Sequence, residues 1–552
     1  MRLPLQSARG FAGLGRLPLK PWRLVCLMVL TSLVLAGCAS ATTKSSTNAH
    51  VPLSNLVVDD STAPATLDPT ETASLQNIGL LASMYVTLVR HGTMAGPDHT
   101  LQSNTDVLLP YLAQSWTVGN GGTTYTFRLR PGARFPDGTP TNAAAVVFTF
   151  DRDIKMSSTG GFFLNAGGPV PLLKSVKADG SETVVMSLLH PDANFLQSLA
   201  SPVLGIVDPK LIAAHGGVVS GQPNQWLASH DAGSGPYLLK SYVPGTRMVL
   251  VANPTFFGSK PLAKEVTVNF VTSASTLLLD ARSGAAAVTI GLSGQQAASL
   301  RTLSGVRVVS TPAAAMEEVS FPTQSPPFNN PLLREALSYA VPYRQLLASV
   351  AGGYGQVYFG PFSPAMPGYN SALEAPRAED LSKARKLLAE SGVKTPVTLA
   401  MYTEAGAADQ ASIATDLRSV WAGLGVDITV SELSPTAYTS AVEASHKTYS
   451  LLRFDGPAIP NAEWLMDYAG QCASPFNIAN WCNTKVEALT AQASRLLSVA
   501  AQQPLWNQVI EQWDEDTPWL PVYQEDQVVI LAPNVTHYVF EQDALWFNEW
   551  GS

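Results

Sequence analysis

No apolar run in this chain reaches the roughly 20 residues that a helix needs to cross a bilayer. LVCLMVLTSLVL, Leu24 to Leu35, has 12, too few for a permanent span. Charge is also sparse: charged residues make up 14% of the chain, and 42 acids outnumber 34 bases. Phosphate backbones are held by clustered Lys and Arg, so a nucleic-acid surface is excluded. The eight His are scattered, and the closest pair in sequence, His91 and His99, reads as part of a loop without ligand spacing, which argues against a metal centre. Gly-x-Ser-x-Gly, His-Glu-x-x-His and the Walker A pattern are missing. Ser391-Gly392-Val393-Lys394 matches Ser-x-x-Lys, but it follows a helix at a Gly stop, and the Ser-Asp-Asn and Lys-Thr-Gly partners of that chemistry do not occur. Neither an enzyme nor a cofactor is expected.

What is present begins with an export signal. Arg2, Arg9, Arg16, Lys20 and Arg23 precede the apolar run, and small residues follow it, the pattern of a secretory leader. Leu35-Ala36-Gly37-Cys38 resembles the lipobox of bacterial lipoproteins, which implies cleavage before Cys38 and lipidation of that residue. Residues 38–50 then read as a flexible tether. More than one acyl chain is needed for stable membrane anchoring, and the lipobox implies such an anchor. Loss of the leader's five bases takes the net charge from −8 to −13. Of four Cys, Cys26 leaves with the leader and Cys38 carries lipid. Cys472 and Cys482 remain in an oxidising compartment, where they are expected to pair; nine intervening residues fit no usual zinc spacing.

The chain is 46% apolar over 552 residues, enough for large cores and more than one domain. Its pattern is repeated α/β alternation. Two short extended runs flank Gly-Asn-Gly-Gly in SWTVGNGGTTYTFRLR, a hairpin signal in which Tyr125, Phe127 and Leu129 alternate with polar residues. Asn142 is placed to cap a helix carrying Val146, Val147 and Phe150. RMVLVAN and KEVTVNFV read as strands, and STLLLDARSG as a helix ending at Gly284. PLLREALSYAV, DLSKARKLLAESG and ASIATDLRSVWAGLG read as amphipathic helices. VTLAMY and VDITVS bracket the last of these as a βαβ unit.

From Leu67 to Gln524 a series of blocks follows one order: LDP, MYVTLVR, LPYLAQSWTV with YTFRLRPGARFPDGTP, GSGPYLL, VANPTFFG, PPFNNPLLREALSYAV, GPFSPAMPGY and DTPWLPVYQ. Together they resemble the family 5 solute-binding proteins of ABC importers, the peptide and nickel binders. The resemblance implies an α/β, two-lobed periplasmic-binding-protein type II fold with an extra subdomain in a discontinuous first lobe. It places the first lobe at 51–315 with a subdomain at about 91–229, the second lobe at 316–500, and a C-terminal segment, 501–552, returning to the first; residues 1–37 are the signal peptide. It also implies a peptide or small-molecule ligand, permease and ATPase partners, a monomer, and a place on the extracytoplasmic face of the membrane.

This sequence departs from the family pattern in places. Ala144 and Ala145 stand where the family helix usually starts with an acidic pair, and Ala287 stands where relatives often carry Asp. In peptide-binding relatives an Asp in a second-lobe loop pairs with the ligand's α-amino group, and Asp455 in RFDGPAIPNAEW matches that place; the alternative is an ordinary turn-forming Asp. Tyr402 to Ser412 lacks the Arg that dipeptide readers use for the carboxylate, which disfavours a strict dipeptide reader. Longer peptides, a nickel chelate or another non-peptide solute, and a sensor role stay open. Seven of 11 Trp lie from Trp464 onward. Trp464, nearest Asp455, is the candidate for the ligand site, and core packing is the expected role of most of the others.

Overall fold

The computed structural model describes residues 54–72, 75–167, 171–375, 377, 379–542 and 544–551, with the side chains of residues 75–77 and of Asp455 outside that description. The leader, the tether and Cys38 lie outside the described residues. Among the described residues eighteen strands follow in chain order. They are β1 (Asn55–Asp60), β2 (Val89–Ala95), β3 (Leu101–Pro110), β4 (Ala113–Gly119), β5 (Thr124–Leu129), β6 (Leu173–Ala178), β7 (Thr183–Leu188), β8 (Tyr237–Val243) and β9 (Arg247–Ala252). After them come β10 (Glu265–Phe270), β11 (Val288–Ile290), β12 (Arg307–Ser320), β13 (Gly355–Gln356), β14 (Val397–Glu404), β15 (Val426–Leu433), β16 (Tyr449–Asp455), β17 (Trp519–Leu531) and β18 (Val539–Phe540).

Eleven strands form one sheet in the order β15-β14-β16-β12-β17-β11-β1-β10-β9-β8, with β13 on β17. The two longest, β12 and β17, run antiparallel from Arg307 opposite Leu531 to Ser320 opposite Trp519, and they join the two ends of the sheet. Their ladder is interrupted twice: Pro312 pairs with Asp526 and Ala315 with Glu525, leaving Ala313 and Ala314 over, and Val522 is left over between Glu317 and Glu318. Such bulges bend a strand and raise its twist. Two smaller sheets, β18-β3-β2 and β4-β5-β7-β6, complete the architecture.

Local chemistry accounts for the elements. In the β4–β5 hairpin, Tyr125, Phe127 and Leu129 are buried on the inward face of β5. Asn142 accepts from the Ala145 amide at 3.2 Å and so starts the helix Ala143–Met156 without the acidic pair. The helices Ala274–Ser283 and Leu381–Ser391 end at Gly284 and Gly392, both in the left-handed region, as a C-terminal cap requires. Strands β14 and β15 pair in parallel and are linked by the helix Ala408–Ala422, completing the βαβ unit. In GSGPYLL, a Cβ on Gly233 would lie 2.2 Å from the carbonyl oxygen of Met84. Only glycine allows that backbone approach. Cys472 and Cys482 form a disulfide with Cα atoms 4.6 Å apart.

One buried cluster runs from β1 and the β4–β7 sheet through Trp464 to Trp513. A second lies beneath the other end of the main sheet, where Leu399, Met401 and Leu452 meet Leu337, Ile413 and Trp421. The first contains a charge knot. Arg152, 2% exposed, donates to the buried carboxylate of Asp68 and lies 3.7 Å from Asp153. Burial pushes Asp153 up to about 7, with Arg152 acting in the opposite direction. The LDP block and the end of the helix Ala143–Met156 are thus tied through one guanidinium. Breaking a buried ion pair from one side leaves an uncompensated charge and costs about 3–5 kcal/mol. Arg152→Met is expected to lower stability by that amount in urea unfolding, and a loss under 1 kcal/mol would contradict the pairing described here.

Candidate functional site

The interruption of β12 sits at the floor of a seam between the two ends of the main sheet. Above it lies a cavity of about 410 Å³, walled by Met94, Ser103 and Asp106 on β2 and β3 and by Ala365, Pro367 and Pro460 from the opposite side, with Pro312 to Ala314 at its base. A second cavity, of about 60 Å³, continues from it past Ala313, Phe540 and Gln542, which line both. Its walls include Asp60, Ile290, Ala315, Phe454, Gln527 and Leu545.

Contacts from Gln542, Asn461 and Trp464 help hold the seam together. The Gln542 side chain accepts from the Ala314 amide at 2.8 Å and donates to the Pro457 carbonyl at 2.7 Å, so one amide satisfies the unpaired bulge and reaches the loop after β16. Asn461 donates to Asn194 at 2.7 Å. Trp464, 3% exposed, packs its indole against Phe163 at 4.7 Å and Phe162 at 5.9 Å between ring centroids. A Cβ on Gly167, which has φ +84°, would lie 2.9 Å from that indole, so this position needs glycine both for space and for conformation.

The electrostatics of the seam are dominated by buried carboxyl groups. Asp60, at the end of β1, accepts from the Thr62 amide at 2.9 Å, yet burial pushes it up to about 7. Asp192 accepts from the amides of Asn194 and Phe195, both at 2.9 Å, and burial still pushes it up to about 6. Glu463 is raised further by burial and by the nearby Asp192 and Asp467. On β12 and β17 a further group forms: Glu317 faces Tyr523 across the ladder and Ala315 faces Glu525. Burial pushes Glu525 up to about 8, with Asp409 adding to the shift. Burial also raises Glu317 well above its ordinary value, and the neighbouring charges that act on it, Glu525, Asp409 and Glu318, are all acidic.

The residues singled out from sequence fall in different places. Asp455 ends β16 with its backbone opposite Met316, one residue beyond the cavity-lining Phe454. Trp464 is absent from the lining of either cavity and lies instead in the aromatic seam. Trp481, Trp506, Trp513, Trp519, Trp546 and Trp550 are buried core residues. His91 corrects the loop reading. It lies on β2, with Nδ1 2.6 Å from Glu541 and Nε2 3.1 Å from Gln197, because β2 is held by its pairing with β3 and shows little apolar alternation of its own. Among the described residues no three His, Cys, Asp or Glu converge as a metal would need, and no helix is long and apolar enough to cross a membrane. Gln542 and the Glu317–Glu525 group were not found from sequence. For Glu317 a signal existed: two consecutive glutamates inside the otherwise apolar stretch AAAMEEV.

Comparison with known proteins agrees with this architecture. Residues 107–474 match the family described as bacterial extracellular solute-binding proteins, family 5 Middle. The probable D,D-dipeptide-binding periplasmic protein DdpA of Escherichia coli K12 is 30% identical over 341 residues, 61% of this chain and 63% of that protein's length. The glutathione-binding protein GsiB of Shigella dysenteriae is 26% identical over 525 residues, 93% of this chain and 95% of that protein. Among solved structures, the periplasmic binding protein DppA of Helicobacter pylori, in complex with the peptide STSA, superposes with a TM-score of 0.77 at 21% identity, covering 90% of this chain and 98% of that one. The fold is therefore the two-lobed periplasmic-binding-protein type II fold. With more than half its length matched by the family's own pattern, this chain belongs to the bacterial extracellular solute-binding proteins of family 5.

Proposed function

We propose that this chain is the lipid-anchored, substrate-binding component of an ABC importer, capturing peptides or similar small solutes between two hinged lobes and handing them intact to a membrane permease served by an ATPase. The observation that carries this reading is the cavity of about 410 Å³ at the seam, floored by the bulge of β12. Its volume is that of a small-molecule site. The names of relatives point the same way: DdpA to D,D-dipeptides, GsiB to glutathione, and the DppA structure to a bound tetrapeptide. In this reading residues 51–315 and 501–552 make the first lobe, with a subdomain at about 91–229, and residues 316–500 make the second. The hinge lies where β12 and β17 cross between them, and the bulges supply backbone that can absorb rotation. Ligand that touches both lobes favours the joined state over the separated one.

Asp455 is the proposed partner of a peptide's α-amino group, supported by its position on β16 next to Phe454, which lines the smaller cavity. Cys38 is the proposed lipid attachment point. Absence of the dipeptide readers' Arg between Tyr402 and Ser412 favours peptides longer than two residues, held as an extended strand.

Gentle purification of the mature protein followed by mass spectrometry is expected to recover intact small molecules, with a peptide series among them. X-ray scattering is expected to report a larger radius of gyration once they are removed. A chemically altered ligand, or profiles identical with and without it, would overturn the reading. Charge-assisted hydrogen bonds contribute about 1.5–3 kcal/mol, so Asp455→Asn is expected to weaken a peptide with a free amine by about tenfold or more and to leave its N-acetylated form nearly unchanged. Equal losses for the two forms in calorimetric titration would remove Asp455 from that role. Cys38→Ala is expected to move the protein from the membrane fraction to the soluble one, whereas unchanged membrane retention would count against the lipid anchor.

A further inference from the structure

The lining of the two cavities includes Asp60, Asp106 and Glu541 and no Lys, Arg or His. The acidity deepens toward the second lobe. Ala315 and Phe454, both at the wall of the small cavity, are the cross-strand partners of Glu525 and Glu317. Glu317 is 4% exposed, and its Oε2 has no hydrogen-bond partner. The Tyr523 hydroxyl, opposite Glu317, is fully buried and equally without a partner. The charges acting on that phenol are Glu317, Glu525 and Asp409. Arg453 stands opposite Glu318, and alternation along the strand puts it on the other face of the sheet.

An unpaired buried carboxyl group is costly, and an apolar residue of similar volume would be the more stable choice here. The chain nonetheless keeps two glutamates and a bare phenol at this spot, and among the described residues the charges acting on them are all acidic. Neither glutamate lines the cavity itself; the wall that adjoins them through Ala315 and Phe454 is an apolar throat that also includes Ile290 and Leu545, with Phe454 still 36% exposed. A long side chain with an apolar stem and a charged head matches that sequence of surfaces.

We propose that this is a basic side-chain pocket: the throat takes the methylene stem of a lysine or arginine, and Glu317 and Glu525, with Asp409 beside them, take its ammonium or guanidinium head. The proposal rests on the reading of the cleft as a peptide site and narrows its cargo to cationic ligands. A basic peptide and a free polyamine share the recognised chemistry.

The test is calorimetric titration of the ligand-freed mature protein with alanine peptides of three to five residues, each carrying one arginine at a scanned position, against matched citrulline peptides and against spermidine. The expected result is at least a tenfold preference for arginine over citrulline at one position. Glu317→Gln and Glu525→Gln should each cut that preference to less than threefold while leaving citrulline affinity within about threefold of wild type. The isosteric amides mimic the neutral acids, and retained citrulline binding certifies a folded site. Spermidine binding that is lost in both variants, with no peptide bound, would uphold the acidic pocket and sink the peptide reading. Citrulline bound as tightly as arginine, or a preference that survives in both variants, would overturn the pocket and leave the peptide reading standing. No binding of any of these probes would overturn both.

Discussion

The ladder between β12 and β17 is the junction through which β14, β15 and β16 connect to the strands on the β8 side. A regular antiparallel ladder would fix the two ends of the sheet in one relation, because every backbone group would be paired. Two interruptions break that regularity, one at Ala313–Ala314 and one at Val522. Backbone that is buried and unpaired must find a partner, and the Ala314 amide finds it in Gln542, on a segment far along the chain. The cavity, the bulge and the C-terminal segment are therefore parts of one arrangement. The bulge opens the floor, and the returning chain satisfies it.

A second constraint is electrostatic. With charged residues at 14% of the chain, the structure has few cations to place inside. It spends Arg152 on Asp68 and Asp153, and Arg377 on Asp514, and neither arginine lines the cavities. The acids of the seam are left to burial, which raises their pKa values above the ordinary carboxylate range. Asp60, Asp192, Glu463 and Glu525 are all shifted in the same direction for the same first cause. In the pocket proposed above, a positive group that enters would favour the charged form of these acids.

Much of the fold was legible because local signals and burial agreed. Gly-Asn-Gly-Gly between alternating runs is the β4–β5 turn, Asn142 and Gly284 bound helices where expected, and the βαβ unit follows from its periodicities. The site was less legible because its members meet through pairing between distant segments. Glu317 and Tyr523 stand opposite each other across some two hundred residues of chain, and Gln542 reaches a bulge that no local pattern announces. Trp464 illustrates the limit well. Its nearness to Asp455 in sequence suggested the ligand site, while its neighbours in space, Phe162 and Phe163, come from a segment three hundred residues earlier and could not be read from its surroundings.

That same indole has an optical consequence. If the lobes part as proposed, Trp464 loses its two phenylalanine neighbours and meets water, while Trp506, Trp513 and Trp550 stay enclosed in the core. In that case its emission would redden as the seam opens and return toward blue as it shuts, giving the proposed motion an intrinsic fluorophore that needs no label.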